Sequence, residues 1–197
     1  MASLAESIMK EASERSEGTP LLAKEFLHLG SRAAVDQALS RLARQERLMR
    51  ASRGIYVLPV KTRFGVRPPS VPKVVEALAQ AKGEQWAPHG AATANALGMT
   101  TQVPVRTVYL TSGSNRRLRL GAQEIELRHA PAWQLALPNE PAGQIIRALA
   151  WLGSKEGRER LPFLRRTLSP SVLQQLFAAR ARLPAWMAQQ VGAFAND

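Results

Sequence analysis

The chain has 197 residues, no cysteine, and 27 Lys plus Arg against 15 Asp plus Glu, a formal net charge of +12. That length has room for one large or two small domains, each able to bury a core. Without cysteine there is no disulfide framework, thiol nucleophile or thiolate metal site, and so large a positive excess favours polyanionic partners, nucleic acid first.

Taken in chain order, residues 3–15 read as a first helix. Leu4, Ile8 and Ala12 form its apolar stripe, and Ser3 with Glu6 three residues on fits a capping box. Glu6 also interrupts any apolar leader, and no apolar run approaches the length of a membrane span, so a cytoplasmic protein is expected. Glu17-Gly-Thr-Pro20 breaks the helix, with Thr19 placed to cap the next one and Pro20 at its first position. Leu22, Phe26 and Leu29 then fall on one face of a short helix that Gly30 stops.

Ser31 is the N-cap of the helix that organises the chain. Val35, Ala38, Leu39 and Leu42 make its buried stripe, and Arg32, Ala33, Asp36, Gln37, Ser40, Arg41 and Arg44 make the opposite face. Such a face suits a DNA major groove. Arg pairs bidentately with guanine and Gln with adenine, Ser contacts either, and a small residue such as Ala33 lets the backbone approach. A solvated amphipathic face is the competing explanation. Leu48-Met49 and Ile55-Tyr-Val-Leu58 then flank Arg50-Ala-Ser-Arg-Gly54, a hairpin whose turn uses Gly54 and whose tip holds Arg50 and Arg53 near where phosphates would lie. Helix, helix and basic hairpin in this order predict a winged helix-turn-helix over residues 1–60.

Charge follows the same map. Residues 32–67 hold nine basic and two acidic side chains, whereas residues 1–31 hold three basic and five acidic. Residues 61–72 read as a basic, Pro-rich linker, in which Lys61 and Arg63 continue a phosphate track or simply face water.

A second domain is expected over residues 73–197. Val74, Val75, Leu78 and Ala79 mark a helix ended by Gly83, and the alanine-rich stretch from Gly90 to Leu97 a shorter one closed by Gly98. Thr107–Thr111, Arg117–Leu120 and Glu124–Arg128 read as strands, the last two with period-two alternation. Ile145, Ile146, Leu149 and Leu152, then Val172, Leu173, Leu176 and Phe177, then residues 186–194 give a helical tail. The basic strand residues Arg116, Arg117, Arg119 and Arg128 form a patch that meets DNA or an acidic partner, or faces solvent. The fold class is therefore α+β: a winged helix-turn-helix followed by a mixed α/β domain with an antiparallel sheet and helical tail.

Enzyme chemistry finds little purchase. His28, His89 and His129 have no second ligand at metal spacing, so no metal is expected. Trp86-Ala-Pro-His89-Gly is the most enzyme-like spot, yet no nucleophile, base and orienting carboxylate accompany it. No glycine spacing cradles a nucleotide, and no cofactor is expected.

The module closing on Arg53-Gly-Ile-Tyr56, the segment from Gly90 to Pro104, Tyr109-Leu-Thr-Ser-Gly113 and the hairpin from Arg117 to His129 together resemble the AbiEi-type antitoxins of type IV toxin–antitoxin, or abortive-infection, operons. The likeness runs from about residue 3 to about residue 180. It implies an N-terminal winged domain that binds inverted repeats in the operon's own promoter and represses it; for a reader of inverted repeats a monomer or weak dimer, cooperative on DNA, is expected. It further implies a C-terminal domain that neutralises a nucleotidyltransferase-like toxin. By that likeness the DNA-reading positions are Arg32, Gln37, Ser40, Arg41 and Arg44, with Arg50 and Arg53 on the wing. A module that docks RNA or an acidic protein partner is the alternative.

Overall fold

The computed structural model describes residues 3–196, with side chains from 3 to 194. In chain order it contains α1 (Leu4–Ser13), β1 (Leu21–Leu22), a 3₁₀ turn (Ala23–Phe26), α2 (Arg32–Arg44), β2 (Met49–Ser52), β3 (Ile55–Val57), β4 (Val60–Thr62), β5 (Gly65–Arg67) and α3 (Val71–Lys82). There follow β6 (Trp86–Pro88), α4 (Gly90–Ala96), β7 (Thr107–Thr111), β8 (Arg116–Leu120), β9 (Gln123–His129), α5 (Ala132–Leu135) and α6 (Pro141–Arg160). A 3₁₀ turn (Leu161–Leu164), α7 (Pro170–Ala179), another 3₁₀ turn (Arg180–Arg182) and α8 (Ala185–Asn196) complete it. The class is α+β, with several small sheets. No helix among the described residues is long and apolar enough to cross a membrane.

Two compact units emerge. The first holds the described residues up to Glu84 together with Arg116–Glu126; the second holds Gln85–Asn115 and the described residues from Leu127 onward. The division differs from one drawn at residues 61–72, because α3 and the β8–β9 hairpin pack with the N-terminal elements.

In the first unit, Ser3 caps α1 through the expected box: the Glu6 backbone N–H donates to Ser3 Oγ at 3.3 Å, and the Ser3 N–H donates to the Glu6 carboxylate at 2.7 Å. Ile8 and Ala12 are buried against Val35, Ala38, Leu39 and Leu42 of α2, with Phe26 and Leu48 in the same core. Between α1 and α2 the expected short helix is replaced by a two-residue strand and a 3₁₀ turn. Leu21 and Leu22 pair antiparallel with Tyr56 and Ile55, so their backbone groups are used across the sheet and Pro20 does not begin a helix. β2 and β3 complete a three-stranded sheet of order β1-β3-β2, bulged between Arg50 and Ser52, and its turn runs through Gly54 at φ 73°.

The supposed linker is a hairpin. β4 and β5 pair from Val60↔Arg67 to Thr62↔Gly65, and the Thr62 hydroxyl braces the turn by donating to the Gly65 carbonyl at 2.9 Å. Gly65 takes φ 116°, a conformation that favours glycine, which explains why a residue read as a breaker sits in a strand turn. Glu17 then ties α1's end to α3, accepting from Arg67 at 3.2 Å, the Ser70 N–H at 3.0 Å and Lys73 at 2.6 Å. Leu118, Leu120 and Ile125 of the last hairpin are buried, as their alternation requires, and β8 lies against β2.

In the second unit, β6 pairs antiparallel with β7 from Trp86↔Thr111 to Pro88↔Tyr109. The core gathers Ala94 and Met99, then Ile145, Ile146 and Leu149 of α6, and Leu176, Met187, Val191 and Phe194. Helix α6 breaks at Gly153, where φ is 79° and ψ 178°. Of the apolar set expected in α7 only Leu176 is buried; Phe177 is exposed beneath the Arg180 guanidinium, 4.3 Å from its ring centroid.

Candidate nucleic-acid interface

Helix α2 is fixed from both ends. Ser31 Oγ accepts from the Ala34 N–H at 3.3 Å, and beyond Arg44 the chain turns through Glu46 at φ 57° before the Leu48 N–H bonds back to the Leu42 carbonyl at 3.2 Å. With Val35, Leu39 and Leu42 fully buried, the helix cannot rotate about its axis, and its outward face is set. On that face Arg32, Ala33, Gln37, Arg41 and Arg44 are exposed, while Asp36 and Ser40 are half-buried.

Three of these side chains are engaged internally. Arg32 Nε donates to Asp36 at 2.9 Å, one helical turn on, and the Ser40 hydroxyl lies 3.1 Å from the Tyr56 hydroxyl. Gln37, Arg41 and Arg44 make no hydrogen bond or ion pair among the described residues. A guanidinium with five N–H donors and an amide with both donor and acceptor thus reach solvent uncommitted.

The adjoining hairpin extends the set. Arg50 and Arg53 are exposed on either side of buried Ala51, and Arg47, in the turn after α2, is exposed as well. Lys61 and Arg63 are exposed on the β4–β5 hairpin, where Arg63 stacks over Phe64 with 4.5 Å from guanidinium to ring centroid. Phe64 itself is 84% exposed. Sequence reasoning passed over Arg47 and Phe64; the first was legible as a cation directly behind the helix, the second only once the hairpin was known.

The four strand arginines do not act as one second-domain patch. Arg116, Arg117 and Arg119 belong to the first unit and Arg128 to the second. Arg116 makes a two-pronged pair with Glu84, Arg117 stands 3.8 Å from Glu126, and Arg119 Nε donates to the Gly121 carbonyl at 3.2 Å. Arg128 lines a cavity of about 560 Å³ with Pro88, His89, Val105, Arg106 and Tyr109.

The histidines separate by environment. His28 is exposed with Nε2 2.9 Å from Glu11, and His129 is exposed with Nδ1 2.9 Å from the Gly113 carbonyl. His89 is half-buried, and burial, with Arg128 nearby, pushes its pKa down, favouring the neutral ring. Among the described residues no group of three His, Cys, Asp or Glu could hold a metal ion.

Fold and surface together define an α+β protein of two compact units, the first presenting a basic helix face and two basic hairpins. The chain belongs to the DUF6088 family, a family of unknown function, whose model matches residues 7–162. No curated protein and no solved structure matches it.

Proposed function

We propose that residues 3–57 form a winged helix-turn-helix and that the protein is a sequence-specific, double-stranded-DNA-binding transcriptional regulator. In this reading α2 is the recognition helix, and the β2–β3 hairpin is the wing. The observation that carries it is the division of α2 into a face locked in the core and a face of exposed, uncommitted Gln37, Arg41 and Arg44. Arg and Gln are the side chains that read guanine and adenine edges bidentately. Arg50 and Arg53 on the wing, with Lys61 and Arg63 beyond it, supply phosphate contacts that fix register without reading sequence.

Ser40 and Arg32 take different parts from the free side chains. The Ser40 hydroxyl is half-buried on Tyr56, so it couples the recognition helix to the wing strand, and Arg32 is steered by Asp36. The resemblance to AbiEi-type antitoxins extends the proposal: the regulator binds inverted repeats in its own promoter, and its second unit neutralises a nucleotidyltransferase-like toxin.

Footprinting of the full-length protein on the region upstream of its own gene tests the DNA reading. A discrete protected site with inverted-repeat symmetry supports it. Uniform, unprotected DNA over a range of protein concentrations contradicts it and moves the function to docking of RNA or an acidic protein.

A further inference from the structure

The β4–β5 hairpin presents an aromatic side chain at its tip and holds it there. Thr62 and Gly65 close the ladder, so Arg63 and Phe64 are the two residues of the turn. The Thr62 hydroxyl braces that turn twice, donating to the Gly65 carbonyl at 2.9 Å and accepting the Phe64 N–H at 3.2 Å, and Gly65 completes it at φ 116°. At the base, Arg67 donates to Glu17 at 3.2 Å, which fastens the hairpin to the end of α1. The Phe64 ring is 84% exposed, and Val66, on the returning strand, is 66% exposed.

A single exposed apolar side chain is ordinary on a protein surface, and what singles out Phe64 is its company. Residues 60–67 carry Lys61, Arg63 and Arg67 and no acidic residue. The Arg63 guanidinium lies 4.5 Å from the Phe64 ring centroid, and neither Lys61 nor Arg63 forms a side-chain hydrogen bond or ion pair among the described residues. Such charge repels a second copy of the same hairpin and attracts a polyanion. Nucleic acid is the polyanion that also offers flat π faces on which an aromatic ring can stack. Helix α2 is close by: Val60, Lys61 and Val66 share a groove of about 550 Å³ with Glu46 and Arg47, in the turn that follows the helix.

We propose that the β4–β5 hairpin is a second DNA-contacting arm, and that Phe64 is a wedge that enters the minor groove and unstacks a base step of the duplex that α2 reads. The proposal rests on the DNA reading and deepens it. Proteins that kink DNA from the minor groove, by about 20–90°, insert apolar side chains of this kind between base steps and use Arg and Lys to read the groove. A braced turn suits that task, because a ring already fixed at the tip loses little conformational freedom on insertion. Lys61 and Arg63 then take phosphates near the kinked step, and Arg63 vacates the ring face that a base comes to occupy. Unstacking costs least at flexible pyrimidine–purine steps, so the arm adds sequence preference at positions that no α2 side chain touches.

The test measures bend and affinity together, on the full-length protein and a short duplex from the region upstream of its own gene. Energy transfer between a donor at one end of the duplex and an acceptor at the other reports the bend, and anisotropy of a singly labelled duplex reports affinity. Energy transfer should rise when the wild-type protein binds. Phe64→Ala, whose melting curve should match wild type because the side chain is exposed, should abolish that rise and weaken binding about tenfold. Phe64→Leu should keep part of both, since leucine also serves as a wedge. A wild-type complex that is not bent, or a bend unchanged in Phe64→Ala, overturns the wedge and leaves base reading by α2 standing. Phe64-dependent binding confined to single-stranded DNA or RNA also overturns it and moves the ring to unpaired bases. No binding to the duplex at all overturns the wedge together with the DNA reading.

Discussion

The hydroxyls of Ser40 on α2 and Tyr56 on β3 lie 3.1 Å apart, a side-chain hydrogen bond that ties the helix to the sheet beside it. Tyr56 is buried and Ser40 half-buried, so the pair sits beneath the outward face rather than on it. Ser40→Ala and Tyr56→Phe should each lower stability by about 1 kcal/mol, the net value of a part-buried hydrogen bond, and their effects should not add. Chemical denaturation of both single variants and the double variant measures this. A Ser40→Ala variant as stable as wild type but with altered sequence preference would return Ser40 to the reading face.

The uncommitted side chains of α2 and the wing should fail in different ways. Gln37→Ala and Arg41→Ala should each cost about 1–3 kcal/mol against the preferred DNA site and little against scrambled DNA, the signature of a lost base contact. Arg53→Ala should weaken all sequences alike and lower the salt slope of log K by about one, the signature of a lost phosphate contact. Titrations at several salt concentrations separate the two. Equal losses on both DNAs for Gln37→Ala would remove it from base reading.

Glu17 gathers Lys73, the Ser70 N–H and Arg67, and this cluster, Lys73 foremost, holds its pKa at about 2 against an ordinary 4.5. A carboxylate depressed in the folded state stabilises above its unfolded pKa and loses that contribution as pH falls through the folded one. The tie between α1's end and α3 should therefore be intact above pH 4.5 and weaken progressively toward pH 2. Glu17→Gln should be less stable at neutral pH and should show a flatter stability profile across that window. Thermal denaturation at a series of pH values checks it; parallel profiles for the two proteins would show that Glu17 contributes nothing through its charge.

Gly90 opens α4 against the backbone of α6. A Cβ at that position would collide with the carbonyl of Arg147 and come within 2.9 Å of the Trp151 Cβ. Because the obstacle is backbone, Gly90→Ala should destabilise by about 3 kcal/mol, the upper end for overpacking. Gly98→Ala should cost less, since its Cβ meets nothing within 4 Å and only the left-handed φ of 68° opposes it. Melting curves of both variants give the comparison, and equal losses would contradict the close approach.

Much of the first unit was legible in the sequence because its signals are local. The stripe of Val35, Ala38, Leu39 and Leu42 repeats at helical period, and all four are buried. The Ser3–Glu6 box and the Ser31 cap depend on residues three apart, and both formed as spaced. Elements decided at a distance escaped. Leu21 and Leu22 look helical beside Phe26 and Leu29, but their pairing with Tyr56 and Ile55 is more than thirty residues away. The β4–β5 hairpin carried no period-two signal because nearly every one of its residues is exposed, so nothing forces apolar side chains onto one face.

The candidate site divides in the same way. Exposure of Arg41, Arg44, Arg50 and Arg53 followed from helix and hairpin geometry, since those positions lie opposite buried neighbours. Partnerships did not follow, except for Arg32 with Asp36, whose spacing of four announces it. Arg147 was missed outright: it stands beside Ile145 and Ile146 in α6, a helix that also carries Lys155, Arg158 and Arg160, and a cation there reads as part of the solvent face until burial is known.

The most direct test of the central claim is the affinity of the full-length protein for its own upstream DNA and for a scrambled duplex of equal length and composition, by fluorescence anisotropy at about 0.15 M salt. Specific readers typically separate the two by about 10³-fold or more. Such a separation is expected, reduced toward unity in a Gln37→Ala, Arg41→Ala double variant that still binds scrambled DNA like wild type. Equal affinity of the wild-type protein for both duplexes would contradict it.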